Sequence, residues 1–435
     1  MERDMKMTLV FYLAATGLFA TFGALTFALD PHIVAMTPEG ELNTLAGSVA
    51  AAPDEGRAIL TSAPEARPIS ADLRAARVPA ASDDPGPQLP LQNPPDVIKA
   101  LYATSWSAGT PSRLDHLVKL LRETEANALV IDLKDYSGFV AYDTSVSDVS
   151  AYGAREIRIP NINKLIQRLH DEGVYLIGRV SVFQDPLLAR ARPDLAVQSA
   201  TPGSVWKDRK GLAWIDPAAR EAWKYNIAIA TDAIERGFDE INLDYIRFPS
   251  DGDLSAARFP HYDEAMPKHE TLRAFFRFAR ESMPSAVLSA DLFGLVTVEQ
   301  GDMGIGQILE DAFAYFDYAA PMTYPSHYAP GSFGYANPAA FPYEVVKRSA
   351  EEARRRLDAF LAEHDTPNTP RLRFWLQDFD LGAEYTAEMV RKQMQALEDA
   401  GVATGWMLWD PNNRYTRDAL APELTASDVP SHTAP

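Results

Sequence analysis

The sequence predicts an α/β fold, a (β/α)8 barrel, on three observations. Eight strand-like runs alternate with helical ones between residues 96 and 421. Polar residues gather on one face of these strands, close to their C-terminal ends. No glycine-rich dinucleotide fingerprint follows the first strand, which disfavours the runner-up, an open doubly wound sheet.

Taken in order, VIKALYATSW (97–106) reads as the first strand. Residues 111–124 form an amphipathic helix with Pro111 in its first turn. ALVIDLK (128–134) is the second strand. A helix over 161–172 is closed by Gly173, and 174–183 is the third strand. The helix 220–236 feeds the fourth strand at 239–244, which stops at a proline-containing loop. Residues 270–283 are helical, and AVLSADLF (286–293) is the fifth strand. A short helix over 305–314 precedes the sixth strand at 317–323, and a long helix lies within 339–363. The seventh strand spans 371–378, a helix follows at 386–400, and 404–410 is the eighth strand.

Strand parity turns this order into a site. Leu129, Ile131 and Leu133 share one face, and Asp132 and Lys134 the other. Arg179 pairs with Ser181, Asn242 with Asp244, Ser289 with Asp291, and Trp375 with Gln377, while Asp410 ends the eighth strand. Barrel interiors are normally filled with branched apolar residues, and unpaired buried charge costs several kcal/mol or more. A polar ring therefore requires function or mutual pairing. For Lys134 and Arg179 two readings stand together: an ion-paired network with the aspartates, or substrate contact. For Asp244 and Asp291 the sequence favours catalysis. Two carboxylates on adjacent strands suit glycoside hydrolysis, one ionised and the other held protonated. The loop Tyr324–Tyr335 after the sixth strand supplies aromatic faces for sugars and carries His327; Trp106, Trp375 and Trp409 lie near other strand ends. The eight histidines show no metal-binding spacing, and no metal or cofactor is expected.

Composition narrows the partners. The 435 residues are 46% hydrophobic and carry a formal charge of −19, which disfavours nucleic acid or an anionic membrane surface. There is no cysteine, so thiolate catalysis and disulfides are excluded. Thr8–Leu29 is apolar and uncharged, long enough to span a bilayer. It is long for a signal peptide, and Thr26 and Ala28 match a cleavage site only fairly, so residues 1–29 read as an uncleaved anchor. Residues 30–95, rich in Pro and Ala, read as a disordered linker; 96–421 is the barrel, and 422–435 a polar tail. The barrel is then expected in the periplasm or outside the cell, attached to the inner membrane by one span.

Three segments carry a resemblance. ALVIDLKDYSG (128–138), GRVSVFQD (178–185) and GFDEINLDYIRFP (237–249) resemble a bacterial family of glycoside hydrolases with a TIM-barrel domain. The likeness covers about 96–420 and is strongest in Asp-Tyr-Ile-Arg-Phe-Pro. It implies a barrel, glycosidase activity and an active-site carboxylate at Asp244. The more distant alpha-amylase and alpha-galactosidase barrels imply a nucleophile at the end of strand four, again Asp244. Their acid lies after strand five or six. Strand six carries none here, which leaves Asp291, an Asp where amylases have Glu, with Asp378 and Asp410 as substitutes. The expectation is cleavage of an envelope or extracellular glycan, with Asp244 as nucleophile and Asp291 as acid/base. Asp132, Lys134, Arg179, Arg247, Tyr324, His327, Gln377, Trp409 and Asp410 are the expected substrate-binding residues. The alternatives are a non-catalytic glycan-binding barrel of an envelope assembly, and a polysaccharide lyase or transglycosylase.

Overall fold

The computed structural model describes residues 84–365 and 369–422. The expected anchor Thr8–Leu29, most of the linker and nearly all of the tail lie outside the described residues. Among the described residues no helix is long and apolar enough to cross a membrane.

Eight parallel strands close on themselves: β1 (Ile98–Ala103), β2 (Ala128–Lys134), β3 (Tyr175–Ser181), β4 (Glu240–Asp244), β5 (Val287–Phe293), β6 (Tyr318–Met322), β7 (Phe374–Gln377) and β8 (Gly405–Trp409). Each pairs with its neighbours in chain order, and Ile98 opposite Gly405 joins first to last. The outer helices are α1 (Pro111–Glu123), α2 (Ile162–Asp171), α3 (Arg220–Arg236), α4 (Lys268–Ser282), α5 (Leu309–Phe313), α6 (Pro342–Glu363) and α7 (Ala387–Asp399). A closed parallel barrel leaves no strand edge in this ring and sets the strand C-termini at one mouth.

Strand alternation makes two cores. Leu129, Ile131, Leu176, Val180, Ile241, Leu243, Leu288 and Leu292 point outward and are covered by the helices. Each fully buried Leu or Ile contributes about 2 kcal/mol. Ile98, Ala100, Tyr102, Ala128, Val130, Ile177, Ala320, Trp375 and Met407 fill the interior. Below them the Glu240 carboxylate pairs with the Arg373 guanidinium, both fully buried. The Tyr175 hydroxyl donates to Glu240 at 3.3 Å, and the Tyr318 ring centroid lies 4.0 Å from the Arg373 guanidinium carbon. This ion pair and its aromatic cover plug the barrel floor.

Three features depart from the expected pattern. The pairing of β2 with β3 shifts register: Asp132 sits opposite Arg179, but Lys134 sits opposite Val180. The extra residue breaks the two-residue alternation and moves Lys134 to the outward face. After β2, a short strand Val140–Tyr142, a helical turn and the strand Arg155–Ile159 extend the sheet before α2. Finally, residues 84–95 are docked from Asp84 onward instead of hanging free. Asp84 accepts from the Lys164 amide at 2.8 Å, Gln88 N–H donates to Arg236 O at 2.9 Å, and Leu91 N–H donates to Asp239 at 2.6 Å. Gly237 permits this twice over. It ends α3 in the left-handed region at φ 112°, and a Cβ there would lie 2.6 Å from the Gln88 carbonyl oxygen.

Candidate active site

The centre of the mouth is Arg179, which β3 projects inward beside β2 and β4. Its Nη1 donates to Asp132 Oδ1 at 2.5 Å. Its Nη2 donates to Asp244 Oδ2, and Nε reaches the same oxygen at 3.2 Å. The Nε also lies 3.7 Å from Asp291 Oδ2 on β5. One guanidinium thus faces three carboxylates contributed by three strands. All four side chains are buried.

A single positive charge cannot balance three buried negative ones, so the site favours a protonated carboxyl. The electrostatics select Asp291. Burial first, and the adjacent Asp244 carboxylate second, push its carboxyl up to about 8. Its Oδ1 accepts from Asn242 Nδ2 at 2.8 Å and from Trp375 Nε1 at 2.7 Å. With two N–H donors on Oδ1, the proton belongs on Oδ2, the oxygen turned towards Arg179. Burial also raises Asp132, against the pull of Arg179 and a 2.5 Å hydrogen bond from the Tyr102 hydroxyl. Asp244 is the acid held most directly by the guanidinium, and its Oδ1 accepts from the Tyr245 amide at 2.5 Å. Tyr245 adopts φ 52°, a left-handed conformation uncommon for a bulky residue.

The carboxylate spacing is bounded by the same atom. Arg179 Nε lies 3.2 Å from Asp244 Oδ2 and 3.7 Å from Asp291 Oδ2. Those oxygens therefore cannot be farther apart than the two distances end to end, about 7 Å, a bound that spans the spacing of about 5–5.5 Å in retaining glycosidases and only the lower end of the range of about 6.5–9.5 Å in inverting ones.

The other expected residues divide. Tyr324 and Trp409 stand at the mouth with ring centroids 5.5 Å apart, and Phe379 completes the cluster 5.0 Å from Trp409. His327 packs 5.3 Å from Tyr324, and burial lowers it to about 4, so it is neutral at pH 7. Gln377 faces inward, but its amide oxygen accepts from Ser326 Oγ at 2.8 Å and its NH2 donates to Phe379 O at 2.8 Å. It positions the aromatic loop. Asp410 caps its own turn, accepting from the Asn412 and Arg414 amides, both at 2.8 Å. Asp378 is held by Thr416 Oγ1 at 2.6 Å and rises through burial to about 6.

Two cations differ from their expected surroundings. Lys134 is not beside Asp132. Shifted outward by the register change, its buried ammonium meets Asp185 Oδ2 at 2.8 Å, Asn226 Oδ1 at 3.0 Å and Ser181 O at 2.6 Å. Those bonds fix β2 to β3 and α3, so Lys134 is a structural residue. Arg247 lies buried with its guanidinium 4.7 Å from the Trp214 ring and 4.6 Å from Phe293, and donates to Phe248 O and Ser250 Oγ, both at 3.1 Å. Among the described residues, no cluster of three or more His, Asp or Glu is placed to hold a metal. Tyr102, Asn242 and Trp375 emerge as site residues that bind the carboxylates directly. Asn242 and Trp375 share strand parity with Asp244 and Gln377, a signal present in the sequence; Tyr102 reads there as ordinary core.

A closed parallel barrel with opposed carboxylates at the C-terminal ends of β4 and β5 has the architecture of a barrel hydrolase. A family model described as "Putative glycosyl hydrolase domain" matches residues 100–415, and the chain belongs to that family. The protein is a glycoside hydrolase. Among solved structures, a hypothetical protein from Ruminiclostridium thermocellum ATCC 27405 is 41% identical over 44% of this chain and 96% of its own, with a TM-score of 0.41. The PgaB (BpsB) glycoside hydrolase domain from Bordetella bronchiseptica aligns over 75% of this chain and all of its own at 16% identity and TM-score 0.54, a likeness of fold. The search of curated proteins found no match.

Proposed function

We propose that the protein is a retaining glycoside hydrolase acting on an envelope or extracellular polysaccharide. The observation that carries this is the Asp244–Asp291 pair, bridged by one guanidinium within about 7 Å, with one member pushed up to about 8. Asp244 attacks the anomeric carbon while Asp291 gives its proton to the departing glycosidic oxygen. This forms a glycosyl ester on Asp244 and leaves Asp291 ionised. Water then loses a proton to Asp291, its oxygen bonds to the anomeric carbon, and the Asp244 ester breaks. Arg179 orients Asp244 and offsets the charge that Asp291 acquires between the two steps. Tyr324 and Trp409 contact the sugar from the mouth. The apolar run Thr8–Leu29 supports a barrel tethered to the inner membrane and facing the periplasm.

A glycan-library screen tests the reading, with the anomeric form of the first product followed by NMR and Asp244→Asn as the control. Retention of configuration, abolished by Asp244→Asn, is the expected result. Inversion would overturn the nucleophile assignment. An unsaturated product would identify a lyase, and binding of a glycan with no turnover by the parent protein would point to a binding barrel.

A further inference from the structure

Trp106 departs from every other tryptophan in the chain. The six others are at most 7% exposed, whereas Trp106 is 52% exposed. It lies in the short helix Ser105–Gly109 directly after β1, at the barrel end that carries the carboxylates. One face of this exposed indole is nevertheless backed. The Arg158 guanidinium carbon lies 4.9 Å from its ring centroid, and Phe139 covers the same guanidinium at 5.7 Å. Arg158 is itself buried and braced: Nη1 binds Asp135 and Ser105 Oγ, and Nη2 donates to Glu156 at 2.8 Å. The Trp106 helix cannot lift away, because it meets the Arg158 strand backbone to backbone. A Cβ added at Gly109 would sit 1.8 Å from the Arg158 carbonyl oxygen.

From this geometry we infer that Trp106 is a distal sugar-stacking platform that holds the polysaccharide chain away from the bond being cut. Its surroundings select a glycan over an apolar partner. A flat ring backed on one face offers the other to pyranose C–H groups, while Glu156, which accepts from Arg158, and Arg113, which donates to Ser107 next in the chain to Trp106, supply an acceptor and donors in the same corner of the mouth. A protein or lipid surface would call for a contiguous apolar patch instead. The insertion carrying Arg158 thereby has a purpose, which is to back the platform. The inference rests on the glycan reading above, yet concerns a residue that takes no part in the Arg179–carboxylate network.

The test uses the full chain in mild detergent with Asp244→Asn, so that binding is read without turnover. Native gels containing hydroxyethylcellulose, dextran, glycol chitosan or alginate report retardation. At least one polymer should retard the protein; Trp106→Ala should weaken that binding about tenfold, roughly one stacking contact, and Trp106→Phe should keep most of it. Arg158→Gln should weaken it as well, because the ring loses its backing. Retardation indifferent to Trp106→Ala, or no retardation by any of the polymers, overturns the inference. So does vesicle binding or self-association that depends on Trp106 with no effect in the gels. Trp106-dependent retention of a polymer that the parent protein fails to hydrolyse would refute the two-carboxylate mechanism and leave the platform standing.

Discussion

Asp291→Asn should make the protein more stable at neutral pH while removing its acid. Burial and the adjacent Asp244 carboxylate push the folded carboxyl up to about 8, against an ordinary value of 3.8. Between those limits the folded protein holds a proton that the unfolded chain has released. The stability lent by Asp291 is fully present below about pH 4 and is lost as the pH rises towards 8, at about 1.4 kcal/mol per unit. At pH 7 the loss reaches about 4 kcal/mol. Asparagine is neutral throughout and can still accept from Asn242 and Trp375. Urea denaturation of both proteins from pH 4 to 9 is the assay. The variant's advantage should grow steadily to about pH 8 and then level off. A difference that stays flat between pH 5 and 8 would show that Asp291 is ionised in the folded protein, and the acid assignment would fall with it.

The remaining predictions follow from the same network. Activity should decline as the pH rises through about 8, when Asp291 loses its proton; a pH–rate profile flat from 7 to 9 would contradict this. Arg179→Met leaves three buried carboxyls without their cation and should destabilise by about 3–5 kcal/mol, read by denaturation at pH 7 and less severe at pH 4. Lys134→Met should cost about 3–5 kcal/mol by stranding Asp185, and Lys134→Met with Asp185→Asn should recover much of it. If Lys134→Met instead raises KM alone with stability unchanged, the lysine contacts substrate after all. Tyr102→Phe removes one hydrogen bond to Asp132 and should cost about 1 kcal/mol, measured in the same way.

The eight strands are legible because each is a short apolar run bounded by a helix cap and a turn, so the expected limits fall within three residues of the observed ones. Parity then brings Asp132, Arg179, Asn242, Asp244, Asp291 and Trp375 inward, because it depends only on the strand period. It fails at Lys134, where a single register shift, invisible in ALVIDLK, reverses the face. The Arg158 insertion has no helical or strand period long enough to announce itself. The docking of residues 84–95 relies on backbone amides and carbonyls and on a gap left by Gly237, which composition does not reveal. Pairing between distant groups, such as the Tyr102 hydroxyl on Asp132, is a property of the closed barrel and of no local stretch.

That closure also sets the order in which a growing chain can be satisfied. Residues 84–103 leave the ribosome before any other described part, yet their partners come far later. Leu91 waits for Asp239, and Ile98 waits for Gly405. Until then β1 has β2 on one side and an open row of amides and carbonyls on the other, available to any extended segment nearby. A nascent chain that stalls before Gly405 would thus carry nearly all of its helices and both carboxylates, and still have a ring that cannot shut.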